Sequence, residues 1–271
     1  MQPGETGAPP VAPDAPSGAS SQLAAKYRQI LGIRFFVGSA AEAVQIGLSG
    51  GLVVVPAAPA LVELESDKAY RDALLAADLA LTDSGFMVLL WNLIKFEKIT
   101  RTSGLEYLKL LIAQSTFREP HSVLWIMPTE TSRDRNLAWL NAREVPATKD
   151  DCYLAPVYKT NNVTDTALLS VIQSRRPKQI IIALAGGVQE KLGHYLKQNA
   201  GYNPGIHCIG AAIGFLSGDQ VNIPDWADHF FLGWFFRCLS QPAKFFPRYW
   251  KARRLLPLLL KYRQNLPRSA Q

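Results

Sequence analysis

The sequence predicts an α/β protein built on a Rossmann-like parallel β-sheet with flanking helices. Short segments rich in Val, Ile and Leu alternate with amphipathic segments of about 10–15 residues, which is typical of βαβ units. The segment 179–184 is apolar at almost every position, as expected of a strand buried on both faces. With 271 residues, of which 48% are apolar, the chain is long enough to bury a sizeable core.

The elements follow from local signals along the chain. Ser39 and Glu42 have the spacing of a capping box, and Tyr70, Leu74 and Leu75 share one face of a helical repeat. The predicted strands are residues 33–37, 52–55, 79–81, 122–126, 152–155, 179–184 and 206–209. The predicted helices are one that begins after Ser39, residues 68–77, one that begins near Phe86, residues 103–114 and 133–140, one capped by Thr164 that stops before Pro177, and residues 189–198.

Composition divides the chain into three parts. Residues 1–22 are rich in Pro, Gly, Ala and Ser and lack the basic and apolar regions of a signal peptide, so they predict a disordered tail. Residues 23–228 form the α/β domain, and residues 229–271 form a basic, aromatic C-terminal tail. Residues 43–62 carry no charge, but Gly50-Gly51 and the 56–59 turn argue against a spanning helix.

Cysteine and histidine usage argues against two classes of site. The cysteines Cys152, Cys208 and Cys238 are widely spaced, so a reducing compartment is expected and a disulfide framework is not. The four histidines are scattered, and the sequence therefore predicts no metal site.

Three polar or glycine-rich segments follow predicted strands, at residues 82–85, 185–190 and 210–214. The carboxyl ends of parallel strands share one edge of the sheet, which is where ligands bind in such folds. Asp83 is therefore expected at this ligand edge. Two interpretations remain open, because Asp83 suits either the N-cap of the helix that begins near Phe86 or a catalytic carboxylate.

Other residues near this edge have both a structural and a functional interpretation. Gly186 and Gly187 suit either a tight turn or a backbone phosphate site, and they lack the G-x-G-x-x-G pattern of dinucleotide-binding proteins. Gln189 is either a helix cap or a ligand-binding amide. Arg101 is either a surface residue or an anion-binding residue in a polar loop before a helix N-terminus.

The C-terminal tail carries the basic excess of a chain whose net charge is +7. After Asp228 there is no acidic residue, and there are nine basic ones: Arg237, Lys244, Arg248, Lys251, Arg253, Arg254, Lys261, Arg263 and Arg268. Ten aromatic residues and the leucines Leu255, Leu256, Leu258, Leu259 and Leu260 lie among them. This mixture favours an anionic membrane interface over nucleic acid, although some aromatics in 230–236 are expected in the core.

Several motifs, in order, resemble the WecG/TagA/CpsF family of bacterial glycosyltransferases over about four fifths of the chain. The resembling segments are Leu31-Gly32, 77–85 with Asp83 and Gly85, Arg101 to Gly104, 185–190 with Gln189 and Glu190, 210–218, and 223–226. A tail pattern of the family is matched by Trp234, Arg237, Leu239, Pro242, Lys244, Arg248 and Tyr249.

The resemblance implies a function and roles for these residues. It implies inverting transfer of a sugar from a UDP-sugar to a polyprenyl-diphosphate-linked saccharide at the cytoplasmic membrane face, in exopolysaccharide, capsule or wall polymer synthesis. It implies no metal or other cofactor, Asp83 as the base, and Arg101 and Gln189 in the active site. It further implies that Arg237, Lys244 and Arg248 lie over the site and the lipid diphosphate.

The chain departs from the family pattern at four points. Pro56-Ala57-Ala58 replaces a Thr-x-Asn segment, Val188 replaces a lysine, Gly214 replaces an aspartate, and Ser84 is inserted before Gly85. These differences bear on the identity of the two sugars more than on the chemistry. They leave open a second interpretation, a non-catalytic membrane-docked subunit that keeps the fold. A third is a nucleic-acid-binding protein, and a homo-oligomer is compatible with each.

Overall fold

The computed structural model describes residues 25–159, 163–210, 212–219, 238–239 and 242–268, and it contains one eight-stranded sheet. The strands are β1 (Tyr27–Ile30), β2 (Ile33–Phe36), β3 (Gly51–Val54), β4 (Leu79–Leu81), β5 (Val123–Met127), β6 (Cys152–Leu154), β7 (Gln179–Ile182) and β8 (Gly205–Cys208). Their order is β1-β2-β4-β3-β8-β7-β5-β6. Every neighbouring pair is parallel except β1 and β2, so the predicted α/β fold with a parallel sheet is confirmed.

Strand β1 was not predicted from the sequence. It pairs antiparallel with β2 through a turn at Leu31 and Gly32, both of which have positive φ. Only Ile30 of its four residues is buried, so the strand carries little of the apolar signal by which strands are recognised.

Helices cover both faces of the sheet. They are α1 (Ala40–Leu48), α2 (Ala58–Leu61), α3 (Lys68–Leu75), α4 (Gly85–Lys95), α5 (Gly104–Ile112), α6 (Glu130–Asn141), α7 (Thr166–Arg175), α8 (Gln189–Asn199), α9 (Ala212–Ser217), α10 (Pro242–Ala252) and α11 (Leu255–Tyr262). The capping box of Ser39 and Glu42 is present at α1. In the residues that the structure describes, no helix is long and apolar enough to cross a membrane.

Three local predictions were wrong in detail. Helix α6 begins one turn earlier than expected, capped by the Thr129 side chain. Helix α7 is capped by Asp165, whose carboxylate accepts the Leu168 N–H at 2.9 Å, rather than by Thr164. Leu75 is 48% exposed rather than on the buried face, because at 3.6 residues per turn it lies about 140° from Tyr70.

The alternation of strand side chains divides the core into two clusters, one on each face of the sheet. In β7, Ile180 and Ile182 belong to one cluster and Ile181 to the other. This period of two is the geometry of an extended strand. The continuous apolar sequence of residues 180–182 is therefore explained by burial on both faces, as predicted.

The end of the chain packs into the core. Leu255, Leu258 and Leu259 of α11 are buried, while Leu256 and Leu260 are exposed, so the expected membrane-facing role is wrong for three of the five leucines. The reason is their i, i+3, i+4 spacing, which places them on one helical face.

The backbone beyond α11 is hydrogen-bonded to the turn between β1 and β2. The Leu31 N–H donates to the Arg263 carbonyl at 2.8 Å, and the Gly32 N–H donates to the Gln264 carbonyl at 2.9 Å. Removing the chain from α11 onward would therefore remove part of the core as well as positive charge.

Candidate active site

Four neighbouring parallel strands, β4, β3, β8 and β7, end at one edge of the sheet. The predicted ligand segments follow β4, β7 and β8, so the sheet brings them to the same edge. Because neighbouring strands lie about 4.8 Å apart, the loops after β4 and β7 are separated by roughly 14 Å. This edge therefore carries two polar clusters, one around Asp83 and one around Gln189.

Asp83 is held by the loop and helix that follow α4. Its Oδ1 atom accepts a hydrogen bond from the Gly104 N–H at 2.9 Å and another from Arg101 Nη2 at 3.2 Å. Arg101 Nε also donates to the Asp83 backbone carbonyl at 2.6 Å. The Arg101 guanidinium therefore forms hydrogen bonds to both the backbone and the side chain of Asp83.

Ser84, rather than Asp83, caps α4. Its Oγ accepts the Met87 N–H at 3.2 Å, so the interpretation of Asp83 as the cap of the helix that follows it is wrong. Asp83 instead accepts the first N–H of α5, 21 residues later in the chain. Its side chain is 24% exposed, and in the described part of the chain its Oδ2 accepts no hydrogen bond.

Two threonines position the Arg101 loop, and the sequence analysis did not assign them a role. The buried Thr82 hydroxyl donates to the Thr100 carbonyl at 2.9 Å and accepts the Thr102 N–H at 3.1 Å. The Thr102 hydroxyl donates to the Gly38 carbonyl at 3.1 Å, just beyond β2. The loop is thereby tied to the ends of two strands. The polar sequence around Arg101 was a signal for the loop but did not reveal these partners.

In the second cluster, the polar side-chain atoms form hydrogen bonds to other groups of the protein. Gln189 is only 2% exposed; its Oε1 accepts the Gly210 N–H at 2.7 Å and its Nε2 donates to Glu190 Oε1 at 3.2 Å. Glu190 Oε2 accepts the Gly187 N–H at 2.6 Å. Gln189 and Glu190 therefore join the loop after β7 to the loop after β8.

Gly187 and Cys208 have local roles in this second cluster. Gly187 has a φ of 92°, which favours glycine, and open space where a side chain would lie. Burial, with the charge of Glu190 as a smaller cause, raises the pKa of the Cys208 thiol well above its usual range. The thiol donates to the Gln189 carbonyl at 3.2 Å, which makes it a structural donor rather than a nucleophile.

The remaining predicted site residues are placed only in part. Gly186 is half-buried in the loop after β7. Arg237 lies outside the described residues, and so do the side chains of Lys244 and Arg248, whose backbone belongs to α10. Across the described ranges, no three His, Cys, Asp or Glu side chains are grouped so that they could hold a metal ion.

A family profile described as "Glycosyl transferase WecG/TagA/CpsF family" matches residues 28–270. The chain belongs to this glycosyltransferase family. The match extends from β1 to beyond α11, so the sheet, its ligand edge and the C-terminal tail all lie within it. No individual curated protein gives a significant match. Membership confirms the resemblance seen in the motifs and implies, in general terms, a sugar-nucleotide donor and a lipid-linked acceptor.

Proposed function

We propose that this glycosyltransferase moves a sugar from a UDP-sugar to a polyprenyl-diphosphate-linked saccharide, with inversion and with Asp83 as the base. The proposed setting is the synthesis of an exopolysaccharide, capsule or wall polymer at the inner face of the cell membrane. The observation that carries the proposal is the state of Asp83. One carboxylate oxygen is fixed by Gly104 and Arg101, while the partly exposed side chain faces the ligand edge.

The proposed reaction is a single displacement. Asp83 Oδ2 accepts the proton of the acceptor hydroxyl, the hydroxyl oxygen forms a bond to the anomeric carbon, and the bond from that carbon to the UDP oxygen breaks. UDP leaves with the electron pair, and attack from the opposite face inverts the anomeric centre. A positioned base contributes about 10²–10⁴-fold to such a step, and a carboxylate at a rigid strand end meets the geometric requirement.

Arg101 has a positioning role in this proposal. Its two hydrogen bonds to Asp83 orient the carboxylate, and its positive charge lies beside the reacting groups. Developing negative charge on a leaving diphosphate is stabilised by fixed positive charge in a partly buried site. The side chains of Arg101 and Asp83 are 15% and 24% exposed, so the pair is partly buried, as such a site requires.

Gly186, Gly187 and Gln189 are proposed to shape the donor side. The buried Gln189 amide fixes the loops after β7 and β8, which would hold the nucleotide between them. Arg237, Lys244 and Arg248 are proposed to lie near the lipid diphosphate, which rests on the family motif alone. The nine basic residues after Asp228 support attachment to an anionic membrane, since a basic residue that faces such a surface contributes roughly 1 kcal/mol. Lys251 and Lys261 are ion-paired with Glu63 and Glu65, which reduces their share.

A second candidate is a membrane-docked subunit without transfer activity. It is favoured by the loop after β3, where Ala57 stands at the start of α2 without a side-chain hydrogen bond. The Thr-x-Asn side chains of the family pattern have no counterpart there.

A screen of UDP release separates the two candidates. Wild-type protein is incubated with a panel of UDP-sugars and polyprenyl-diphosphate-linked acceptors, and free UDP is measured. We expect release with at least one donor and only when the acceptor is present. Absence of acceptor-dependent release across the panel would favour the non-catalytic subunit.

A further inference from the structure

Helix α4, which begins two residues after Asp83, carries an exposed apolar stripe. Phe86, Leu89, Leu93 and Phe96 are 40%, 61%, 67% and 91% exposed. The spacing of Phe86, Leu89 and Leu93 places them along one side of the helix axis, within an arc of about 60°, and Phe96 is the residue at which the helix ends. The opposite side, with Met87 and Trp91, is buried in the core.

The stripe is large and ends in a strained residue. Taking roughly 150–200 Å² for each side chain, it presents on the order of 400 Å² of apolar surface, a size typical of interaction sites. Phe96 has φ 53° and ψ 30°, the left-handed region that bulky residues rarely adopt. An almost fully exposed aromatic residue at such a position contributes little to folding. Its presence there points to a role at an interface.

A second exposed apolar pair lies on the neighbouring helix. Helix α11 packs against α4, and its exposed leucines, Leu256 and Leu260, are one turn apart. Its other face is in the core, so these two leucines point away from the protein interior.

Positive charge flanks these apolar stripes. Lys98, Arg254 and Arg263 are exposed near the ends of α4 and α11. Glu97, the acidic residue next to Phe96 in the chain, is paired with Arg28 at 3.4 Å and accepts the Trp91 indole N–H at 3.2 Å. Apolar side chains bordered by cations match the boundary between acyl chains and anionic headgroups.

We propose that the α4 stripe, together with the exposed leucines of α11, inserts into the interface of an anionic membrane. Charge complementarity favours a lipid bilayer over a second copy of the chain, because the surface would place like charges against each other in a symmetric dimer. Attachment through these apolar side chains differs from purely electrostatic attachment through the tail in its salt dependence. Salt screens the charges of the tail, whereas the apolar contact persists at high salt.

This inference rests on the proposed function in one respect, namely the position of the acceptor. Phe86 lies three residues after Asp83, and α4 extends about 15 Å from there to Phe96. Insertion of α4 would therefore hold Asp83 close to the headgroup layer. A lipid-linked sugar could then reach the carboxylate without leaving the bilayer.

Substitution of the exposed leucines tests the insertion. Leu89→Glu and Leu93→Glu each place a charge in the stripe, and Leu75→Glu, on α3, is the matched control with 48% exposure. Co-sedimentation is measured with vesicles of phosphatidylglycerol and phosphatidylethanolamine, at low and high salt. We expect each stripe variant to lose at least about tenfold in vesicle affinity and the control to stay within about twofold. Thermal unfolding checks that all three variants are folded.

Two outcomes would overturn the proposal. One is vesicle binding by both stripe variants that equals that of the wild type. The other is a wild-type dimer, seen by sedimentation velocity, that both variants lose while they keep vesicle binding, which would assign the stripe to a second copy.

Turnover on two acceptors separates this inference from the proposed function. The stripe variants should keep activity on a short-chain, water-soluble acceptor and lose it on the same acceptor group embedded in vesicles. If the wild type is inactive on both acceptors, the proposed function fails, while the sedimentation result still decides the insertion.

Discussion

The loops after β4 and β7 lie at the same edge of the sheet, with β3 and β8 between them, yet they use their polar residues differently. Asp83 keeps its side chain 24% exposed, and its fixed oxygen is held by partners from α5 and the Arg101 loop. Gln189 is 2% exposed; its Oε1 accepts the Gly210 N–H of the loop after β8, and its Nε2 donates to Glu190. The first loop leaves part of a carboxylate exposed, whereas the second uses its side-chain amide to fix the backbone. A polar residue at a strand end therefore has to be judged by its partners as well as by its position.

The largest expected effect comes from Asp83→Asn. The amide can still accept the Gly104 N–H but is a far poorer base, so we expect turnover to fall by about 10²–10⁴-fold with little change in melting temperature. Asp78→Asn is the control from the other end of β4: Asp78 accepts the Leu52 N–H at 2.6 Å and pairs with Lys197 at 2.7 Å. Turnover is measured by UDP release. Activity of Asp83→Asn within threefold of the wild type would remove the catalytic role.

Arg101→Ala should have the next largest effect. It removes charge-assisted hydrogen bonds to Asp83, which are worth about 1.5–3 kcal/mol each, so we expect a loss of about 10–100-fold in turnover. Arg101→Lys keeps the charge but lacks the planar fork that makes two contacts, and should fall between Ala and the wild type. If Arg101→Lys loses as much turnover as Arg101→Ala, the geometry of the guanidinium matters and its charge does not. If Arg101→Lys keeps the turnover of the wild type, the charge alone is sufficient.

Gln189→Ala should affect stability more than chemistry. It leaves the Gly210 N–H without its buried partner, at a cost of about 1–3 kcal/mol in the free energy of unfolding. We expect UDP affinity, measured by calorimetry, to fall by up to about tenfold as the loops after β7 and β8 loosen. Gln198→Ala, at an exposed position of the same helix, is the control. Unchanged stability and unchanged UDP affinity in Gln189→Ala would contradict a positioning role.

The smallest effect concerns a buried network that links α5 to strands β7 and β8. His207 of β8 bonds through Nδ1 to the Tyr107 hydroxyl at 2.8 Å and through Nε2 to Gln179 Oε1 at 2.7 Å. Tyr107 lies one turn beyond Gly104, and Gln179 begins β7. Burial lowers the pKa of His207 to about 3. The ring is therefore neutral in the folded protein at neutral pH.

The sign of the pH dependence follows from linkage. Below the unfolded pKa of about 6.5, the unfolded chain binds a proton that folded His207 does not, so stability falls as the pH falls from 6.5 towards 5. His207→Phe should be less stable at pH 8, because the Tyr107 hydroxyl and Gln179 Oε1 lose their His207 partners, but its stability should change less across this window. Urea unfolding at several pH values measures both. Parallel pH dependence in variant and wild type would exclude His207 as a source of the slope.

Much of the fold could be predicted because its signals are local. Alternating apolar segments, the Ser39 capping box and the apolar run before Gly186 all act over fewer than about ten residues. They were sufficient to predict the parallel sheet and to place Asp83 at its ligand edge. The antiparallel β1 escaped prediction because its burial is confined to Ile30 and its pairing depends on the turn that follows.

The sequence by itself determined the order of elements, the position of Asp83 after β4 and the basic character of the tail. Only the tertiary structure decided what these residues contact: the Gly104 N–H on Asp83, Gly210 on Gln189, and the Arg263 carbonyl on Leu31. It also decided which tail leucines enter the core and which α4 side chains stay outside. The physical reason is that secondary structure follows from periodicity along the chain. Burial and hydrogen bonding, in contrast, depend on groups that the sequence separates by about 20 to more than 200 residues and that only the folded sheet brings together.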